Sequence, residues 1–446
     1  MSWQAEYLDI LKNDFLDRSC LNTIRRFQSS YELRIHCETE LLGCGLKTFS
    51  SLLETLECPV VHVLDDLLSS AYQKMSSQGT AESCWPRLYT DASIIRSLAC
   101  LDASTAQAAI ATLDRAIIVA GAIGVGRLDL TLSLIRRTQV EFLTISPFKP
   151  MATLPSLSPI SIHLPTSCHN IPIIDPAPSF TSFQQNAYRL PFMLRQYARS
   201  WPALNAHSWA SAAYLRSVAG PARIVPVEVG ADYRAHDWTQ QLIKWDEFLA
   251  FLDLNDQLHT TPPPNNNKVL YLAQHNLLIQ FPDLSRDIII PDYVYSCPPP
   301  LEDFPQYRPP GNDEQLVINA WLGPQGTISP AHTDPYYNLY VQVVGRKTVW
   351  LAPPSISAYM YTFGPQTVQD ANPASNKTEP SMSNTSQLDV FTLSPDDTHT
   401  YPQFWEHVFP QAMSTTLGAG DALFIPPGWW HAMRAEDTSF SVSMWF

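Results

Sequence analysis

At 446 residues, 45% of them hydrophobic and 11% aromatic, the chain has enough apolar surface for real cores. It is too long for one compact core of ordinary size, so two domains, or one domain with a substantial flank, are expected. Its 28 basic and 42 acidic residues leave a net charge of −14, which disfavours direct nucleic-acid binding and suits a basic peptide or protein better, although acidity also serves plain solubility.

The start, Met-Ser-Trp-Gln-Ala-Glu-Tyr, lacks the basic residues and apolar stretch of a secretory signal. The 8 cysteines are irregularly spaced with no C-x-x-C pair, which predicts reduced thiols in a nuclear or cytoplasmic protein rather than a secreted disulfide scaffold. Residues 1–144 read as a helical region. Its clearest element is capped by Ser104 or Thr105 and carries Ile110, Leu113 and Ile117 as an apolar stripe. The apolar run from Ala116 to Gly126 ends at Arg127, too short to cross a bilayer, so no membrane span is expected. Gly121, Gly124 and Gly126 follow a helix and are not in G-x-G-x-x-G order, so they predict a turn into a second helix over Leu128–Ile135.

From 145 to 179, Pro147, Pro150, Pro155, Pro159, Pro165, Pro172, Pro176 and Pro178 forbid regular helix and predict an extended linker at the domain boundary. From 180 onwards short apolar runs alternate with turn residues: Ile224–Val229, Val269–Ala273, Leu316–Trp321, Asn338–Val344, Lys347–Leu351, Ala422–Ile425 and Phe440–Trp445. Strands at this density predict a β-sandwich or barrel. Gly345-Arg346 reads as a two-residue hairpin turn, and the polar stretches Thr260–Lys268 and Gln366–Gln387 read as surface insertions.

Two residues apart on a strand, His332 and Asp334 point the same way, and His431 follows a Pro426-Pro427-Gly428 turn and the rings of Trp429 and Trp430. Two imidazoles and one carboxylate fill one face of an octahedron and leave three positions open, the arrangement of non-haem Fe(II) oxygenases that bind a bidentate 2-oxo acid and O2 together. A structural zinc site would instead close four positions, usually with cysteine. An H-x-D pair alone is more often solvated than metal-bound, so its neighbours decide. Lys347 in an apolar strand calls for an anionic partner, such as the distal carboxylate of a dicarboxylic co-substrate, unless it faces water from an edge. Ser329 can add a hydroxyl to the same pocket, whereas His275, His399 and His407 lack partners at metal spacing and read as structural.

The wording around these residues includes Val225-Pro-Val-Glu-Val-Gly230, Tyr271-Leu-Ala-Gln-His275, Asn319-Ala-Trp-Leu-Gly-Pro-Gln-Gly-Thr-Ile-Ser-Pro330, Val341-Gln-Val-Val-Gly-Arg-Lys347, Asn384-Thr-Ser-Gln387 and Ser439-Phe-Ser-Val-Ser443. From about residue 171 to the C-terminus, it resembles the JmjC family of Fe(II)- and 2-oxoglutarate-dependent oxygenases. The resemblance implies a mainly β protein: a double-stranded β-helix (jelly-roll, cupin-like) catalytic domain over 180–446 behind an α-helical N-terminal domain. It implies Fe(II) held by His332, Asp334 and His431, 2-oxoglutarate held by Tyr271, Ser329, Asn338, Lys347 and Trp445, and O2 as second co-substrate. Glu228, Gln274 and Trp321 would face the substrate, where a carboxylate beside an indole suits a guanidinium or methylated ammonium. Tyr336-Tyr337 departs from the family wording, in which polar glutamines are usual, and predicts a more aromatic, bulkier pocket wall, while Ala432-Met433 departs from the usual bulky-aromatic start after the second histidine.

The expected function is therefore hydroxylation of a basic side chain in a peptide or protein such as a histone tail, with arginine slightly favoured. Methyl-lysine demethylation by the same chemistry is the alternative. A non-catalytic binding adaptor on the same fold is a third reading, and a metal-dependent isomerase, which gives Lys347 no anionic partner, a weaker fourth.

Overall fold

The structure, a computed structural model, describes residues 3–16, 41, 43–77, 84–145, 164, 166–185, 187–252, 254, 269–364 and 382–446. The chain divides into two compact units, one of Met1–Pro147, Ala219–Val225 and Ile243–Asp246, the other of Phe148–Val218, Pro226–Leu242 and Glu247–Phe446.

Helices of the first unit are α1 (Trp3–Leu16), α2 (Leu46–Glu57), α3 (Val61–Ser77), α4 (Cys84–Leu98), α5 (Ala106–Ala120) and α6 (Arg127–Phe142). The stripe of Ile110, Leu113 and Ile117 on α5 is buried, as its spacing predicts. The cap differs: Thr105 makes no side-chain cap bond, and the Asp102 carboxylate accepts instead from the backbone N–H groups of Ser104 and Thr105. Gly121 closes the helix in the left-handed region, and α6 runs beyond the predicted Ile135.

Between α3 and α5, α4 is buried on most sides. Its Leu88, Ile94 and Ile95 join the apolar cluster, while Thr90, Ser93 and Ser97 return their hydroxyls to carbonyls one turn back. Asp91, with no exposed surface, accepts from Arg87 Nε and Arg127 Nε, each at 2.6 Å. Asp114 on α5 similarly receives Arg223 at 2.7–3.0 Å.

The strands, all of the second unit apart from the start of β3 and the end of β4, are β1 (His169–Asn170), β2 (Phe192–Leu194), β3 (Ile224–Val229), β4 (Thr239–Lys244), β5 (Leu270–His275), β6 (Val317–Gly323), β7 (Ile328–Thr333), β8 (Asn338–Val344), β9 (Lys347–Ala352), β10 (Met413–Leu417), β11 (Ala422–Ile425), β12 (Trp430–Ala435) and β13 (Ser439–Trp445). They form one sheet in the order β1-β10-β9-β12-β7 and another in the order β2-β11-β8-β13-β6-β5-β3-β4, the two layers of a double-stranded β-helix. Of the stretch read as a linker, 146–163 and 165 lie outside the described residues, and its later part enters the sheet through His169-Asn170, which pairs in parallel with β10. Between the sheets, Val349, Leu351, Leu417, Leu423, Ile425, Trp429 and Met433 form an apolar floor.

Two expectations are corrected. Gly345-Arg346 does not close a hairpin: β8 pairs with β11 and β13, while β9 pairs with β10 and β12, so these two residues carry the chain from one sheet to the other. A Cβ at Gly345 would lie 2.1 Å from the Thr438 carbonyl oxygen, so only glycine fits this corner, and Arg346 is clamped by Asp437 at 2.6 and 2.9 Å. Within the stretch read as a surface insertion over Gln366–Gln387, Ser383, Asn384 and Gln387 are exposed as expected, but two residues near its end are not. Thr385 and Ser386 are buried, and Thr385 bridges His332, covering the edge of β7 that would otherwise expose unpaired backbone. Residues 365–381, most of that insertion, and 260–268, the other, lie outside the described residues. Among the described residues Cys44, Cys58, Cys84, Cys100, Cys168 and Cys297 form no disulfide, and no helix is long and apolar enough to cross a membrane.

Candidate functional site

Strands β7 and β12 are antiparallel neighbours in which His332 pairs directly with His431. Paired residues share a face, so both rings point between the sheets, with centroids 4.2 Å apart. Asp334 lies just past the end of β7, where its carbonyl accepts the Gly428 N–H at 2.8 Å, tying the turn before β12 to the first pair. Gly428 has φ +77°, and a Cβ there would strike the Phe304 ring at 2.4 Å, so this corner too depends on glycine. Asp334 Oδ1 lies 3.8 Å from His332 Nε2, and Oδ2 lies 3.4 Å from His431 Nε2. One ligand atom from each of the three groups lies within 4.8 Å of the others.

The ring tautomers follow from the backbone. His332 Nδ1 donates to the Pro330 carbonyl at 2.8 Å and His431 Nδ1 to the Trp429 carbonyl at 3.1 Å; a carbonyl only accepts, so each Nε2 turns toward Asp334. Burial and the neighbouring His431 push His332 down to about 4. Burial pushes the Asp334 carboxyl up, but its hydrogen bond with His431 and the two rings outweigh that and hold it below its ordinary range. For His431 burial works downward and the bond and charge of Asp334 prevail, raising it.

A β-bulge extends the site. From His431 to Met433 β12 advances two residues while β7 moves three, from His332 to Ser329, so Ser329 reaches the same face as His332 despite the odd spacing. Trp321, Ser329, Asn338, Tyr340 and Met433 line a cavity with the three ligand-type residues. Lys347, 1% exposed, donates to the hydroxyls of Tyr271 at 3.1 Å and Tyr340 at 2.9 Å. Burial lowers its ammonium from 10.5 to about 7. Tyr271 is hydrogen-bonded to Ser329 and, through burial, raised well above its ordinary value. Asn338 Oδ1 and Trp445 Nε1, on residues paired across β8 and β13, are buried without a hydrogen-bond partner. The donors here, a buried ammonium, the Tyr271 phenol, the Ser329 hydroxyl and the unpartnered Trp445 N–H, fit a dianion better than any apolar ligand, with the Asn338 amide beside them. The His-Asp-His face fits a divalent transition metal with open positions.

Residues 176–446 match the family of the cupin-like domain. The chain belongs to the cupin-like JmjC family. It is 37% identical over 297 residues to Jumonji C domain-containing protein 5 of Drosophila melanogaster, covering 66% of this chain but 64% of that protein, less than two thirds of its length. It is 29% identical to lysine-specific demethylase 8 of Danio rerio over 95% of this chain and 97% of that one. It is 27% identical to the human bifunctional peptidase and (3S)-lysyl hydroxylase over 62% of this chain and 84% of that protein.

Around this JmjC core the substrate-side candidates separate. Glu228 pairs with Tyr271 across β3 and β5, lies beside the Trp238 side chain, and is raised by burial. Trp321 lies 6.2 Å from the Tyr271 ring and donates through Nε1 to Ser443 at 2.9 Å. Gln274 is exposed, with φ +50°, and is not among the cavity residues. The expected aromatic wall is corrected by half. Tyr336 stacks on Trp445 at 5.5 Å, but Tyr337 has no exposed surface, donates to the Pro299 carbonyl and packs among Tyr307, Phe424 and Phe446. In the second departure, Met433 lines the cavity and Ala432 packs on the outer face with Trp350 and Trp430. His275 bonds Gln280 and His407 stacks on Tyr359, away from the three-residue cluster. Sequence reasoning missed Tyr340 and Tyr233. Tyr340 is two residues from Asn338 on a strand, which is signal enough. Tyr233 lies within electrostatic reach of Asp334 and bonds Thr385 at 3.5 Å, but it sits in a loop with no periodicity to announce it.

Proposed function

We propose that this chain is an Fe(II)- and 2-oxoglutarate-dependent oxygenase that hydroxylates a basic side chain, preferably arginine, in a peptide or protein of the nucleus or cytoplasm. The observation that carries the reading is Lys347: an ammonium buried beside the His-Asp-His face and met only by phenols. Fe(II), when bound, supplies the oxidative decarboxylation of 2-oxoglutarate that is coupled to oxygen insertion into a C–H bond. His332, Asp334 and His431 hold the metal. Lys347 and Tyr271 receive the distal carboxylate, Ser329, Asn338 and Trp445 the remainder of the acid, and Trp429 and Met433 keep water from the floor. Glu228, with Trp321 and at the rim Gln274, receives the substrate cation.

Hydroxylation of a side-chain carbon leaves a stable alcohol, whereas the same step on an N-methyl group collapses to loss of that methyl. Arginine is favoured because a half-buried carboxylate with indoles at hand suits a planar guanidinium. Histone methyl-lysine demethylation is the second reading, in line with the name of the zebrafish relative. Incubation with Fe(II), 2-oxoglutarate and arginine or methyl-lysine peptides decides between them by mass spectrometry: a gain of one oxygen supports the first, loss of a methyl the second, and neither with any basic peptide sinks both.

Glu228→Gln is expected to lower kcat/KM for an arginine peptide by about 100-fold, a desolvated ion pair being worth ~3 kcal/mol, while 2-oxoglutarate affinity stays within about twofold. A comparable loss of co-substrate affinity would place Glu228 elsewhere in the site.

Binding of 2-oxoglutarate is also expected to depend on pH. The dianion needs the ammonium form, which burial lowers from 10.5 to about 7 in the free protein. Above that pH the amine is neutral and binding must draw a proton from solution, so affinity falls toward about tenfold per pH unit. Calorimetry at pH 8 in two buffers of different ionisation enthalpy measures the uptake; no uptake would mean that the carboxylate does not meet Lys347.

A further inference from the structure

Behind Lys347 the β-helix interior is polar where an apolar core is expected. Ser439, Ser441 and Ser443 alternate along β13 onto one face, each with no exposed surface, and Tyr340 and Gln342 of β8 share that face. The hydrogen bonds among them have a direction that can be read from one end. The Val344 carbonyl only accepts, so the group facing it at 2.6 Å is the Gln342 amide nitrogen, whose other proton goes to Ser439 at 2.9 Å. That orientation presents Gln342 Oε1 to Ser441, whose single proton is spent there at 2.8 Å. The Ser441 hydroxyl stands beside that of Tyr340 and, with its own proton spent on Gln342, can only face the phenol as an acceptor. Tyr340 in turn shows a lone pair to Lys347 Nζ at 2.9 Å.

We propose that Gln342 and Ser441 are positioning residues for the 2-oxo acid. Acting through Tyr340, they hold its hydroxyl as an acceptor toward Lys347. Two of the three ammonium protons are thereby committed to Tyr340 and Tyr271, and the third is left aimed at the incoming carboxylate. The proposal rests on the dicarboxylate reading of the Lys347 pocket. Without the row, Tyr340 can turn its proton toward Lys347, and donor then faces donor.

The test is equilibrium binding of 2-oxoglutarate to the full chain loaded with Mn(II), followed by calorimetry, with thermal unfolding of each variant alongside. Ser441→Ala and Gln342→Met, the latter close in shape but without the amide, are each expected to weaken 2-oxoglutarate binding by about 3- to 10-fold, the loss of one oriented hydrogen bond. With Fe(II), the KM for 2-oxoglutarate should rise by the same factor while kcat stays within about twofold. Ser441→Thr, which keeps the hydroxyl, should restore wild-type affinity. Unchanged affinity in Ser441→Ala or Gln342→Met, or a Ser441→Thr variant as weak as Ser441→Ala, overturns the proposal while leaving the Lys347 reading intact. Failure of the wild-type protein to bind 2-oxoglutarate overturns both. Should Ser441→Ala not fold, the affinity of Gln342→Met decides in its place.

Discussion

Replacing His332 with alanine is expected to abolish Fe(II)-dependent succinate release from 2-oxoglutarate, by about 1000-fold or more, equivalent to ~4 kcal/mol of transition-state stabilisation. The ring contributes one of only three ligand-type groups in the cluster, and its Nε2 is aimed by the bond from Nδ1 to Pro330. Removing it leaves a two-ligand site that binds metal weakly and no longer presents one face of an octahedron. The fold should survive, since Leu351, Trp429 and Met433 still pack the floor. A circular dichroism spectrum like that of the wild type, together with lost turnover and lost Fe(II) affinity by calorimetry, is the expected outcome. The same experiment separates an oxygenase from a binding adaptor, because an adaptor would show no turnover in the wild type to lose. Undiminished succinate release in His332→Ala would sink the metal assignment.

Asp91→Ala should cost the first unit about 3–5 kcal/mol, the range for removing one partner of a buried ion pair. The carboxylate has no exposed surface and receives two guanidinium groups at 2.6 Å, those of Arg87 and Arg127, themselves 4% and 2% exposed. Alanine removes the charge that offsets their desolvation and leaves a cavity in α4. Replacing all three together by apolar residues of similar volume, Arg87→Met, Asp91→Leu and Arg127→Met, should recover most of the loss, because the penalty lies in the uncompensated charges. Urea unfolding followed by circular dichroism measures both; a loss under about 1 kcal/mol for Asp91→Ala would show that water reaches the pair.

The candidate site is legible in the sequence where its chemistry is local. His332 and Asp334 are two residues apart, and a strand's two-residue period puts them on one side whatever the rest of the chain does. Lys347 stands out because a charge inside an apolar run contradicts its surroundings. Ser329 is three residues from His332, and only the bulge opposite His431–Met433 brings it to the same face, so its place rests on a strand-pairing irregularity no local pattern encodes. Tyr336 and Tyr337 together read as pocket wall, but they lie in the bend between β7 and β8, which turns Tyr336 onto Trp445 and Tyr337 into the packing around Phe424, a split no local pattern announces. In the first unit α5 declares itself by its apolar stripe. Helix α4 is buried on most sides and mixes Arg87, Asp91, Ser93 and Ser97 with leucine and isoleucine, so a one-faced pattern describes it poorly.

The amino-acid sequence alone determined that a helical region precedes a domain of short strands, that His332 and Asp334 share a strand face, and which side chains carry metal- and anion-binding chemistry. Each of these follows from backbone periodicity and intrinsic side-chain properties over a few residues. Tertiary structure alone decided that Gly345-Arg346 joins two sheets rather than two paired strands, that Thr385 covers the edge beside His332, and that the serines of β13 stand behind Tyr340. Those are choices of partner between segments up to about a hundred residues apart, made by how two sheets close on a shared core, and no short window of residues contains the competing pairings among which that closure selects.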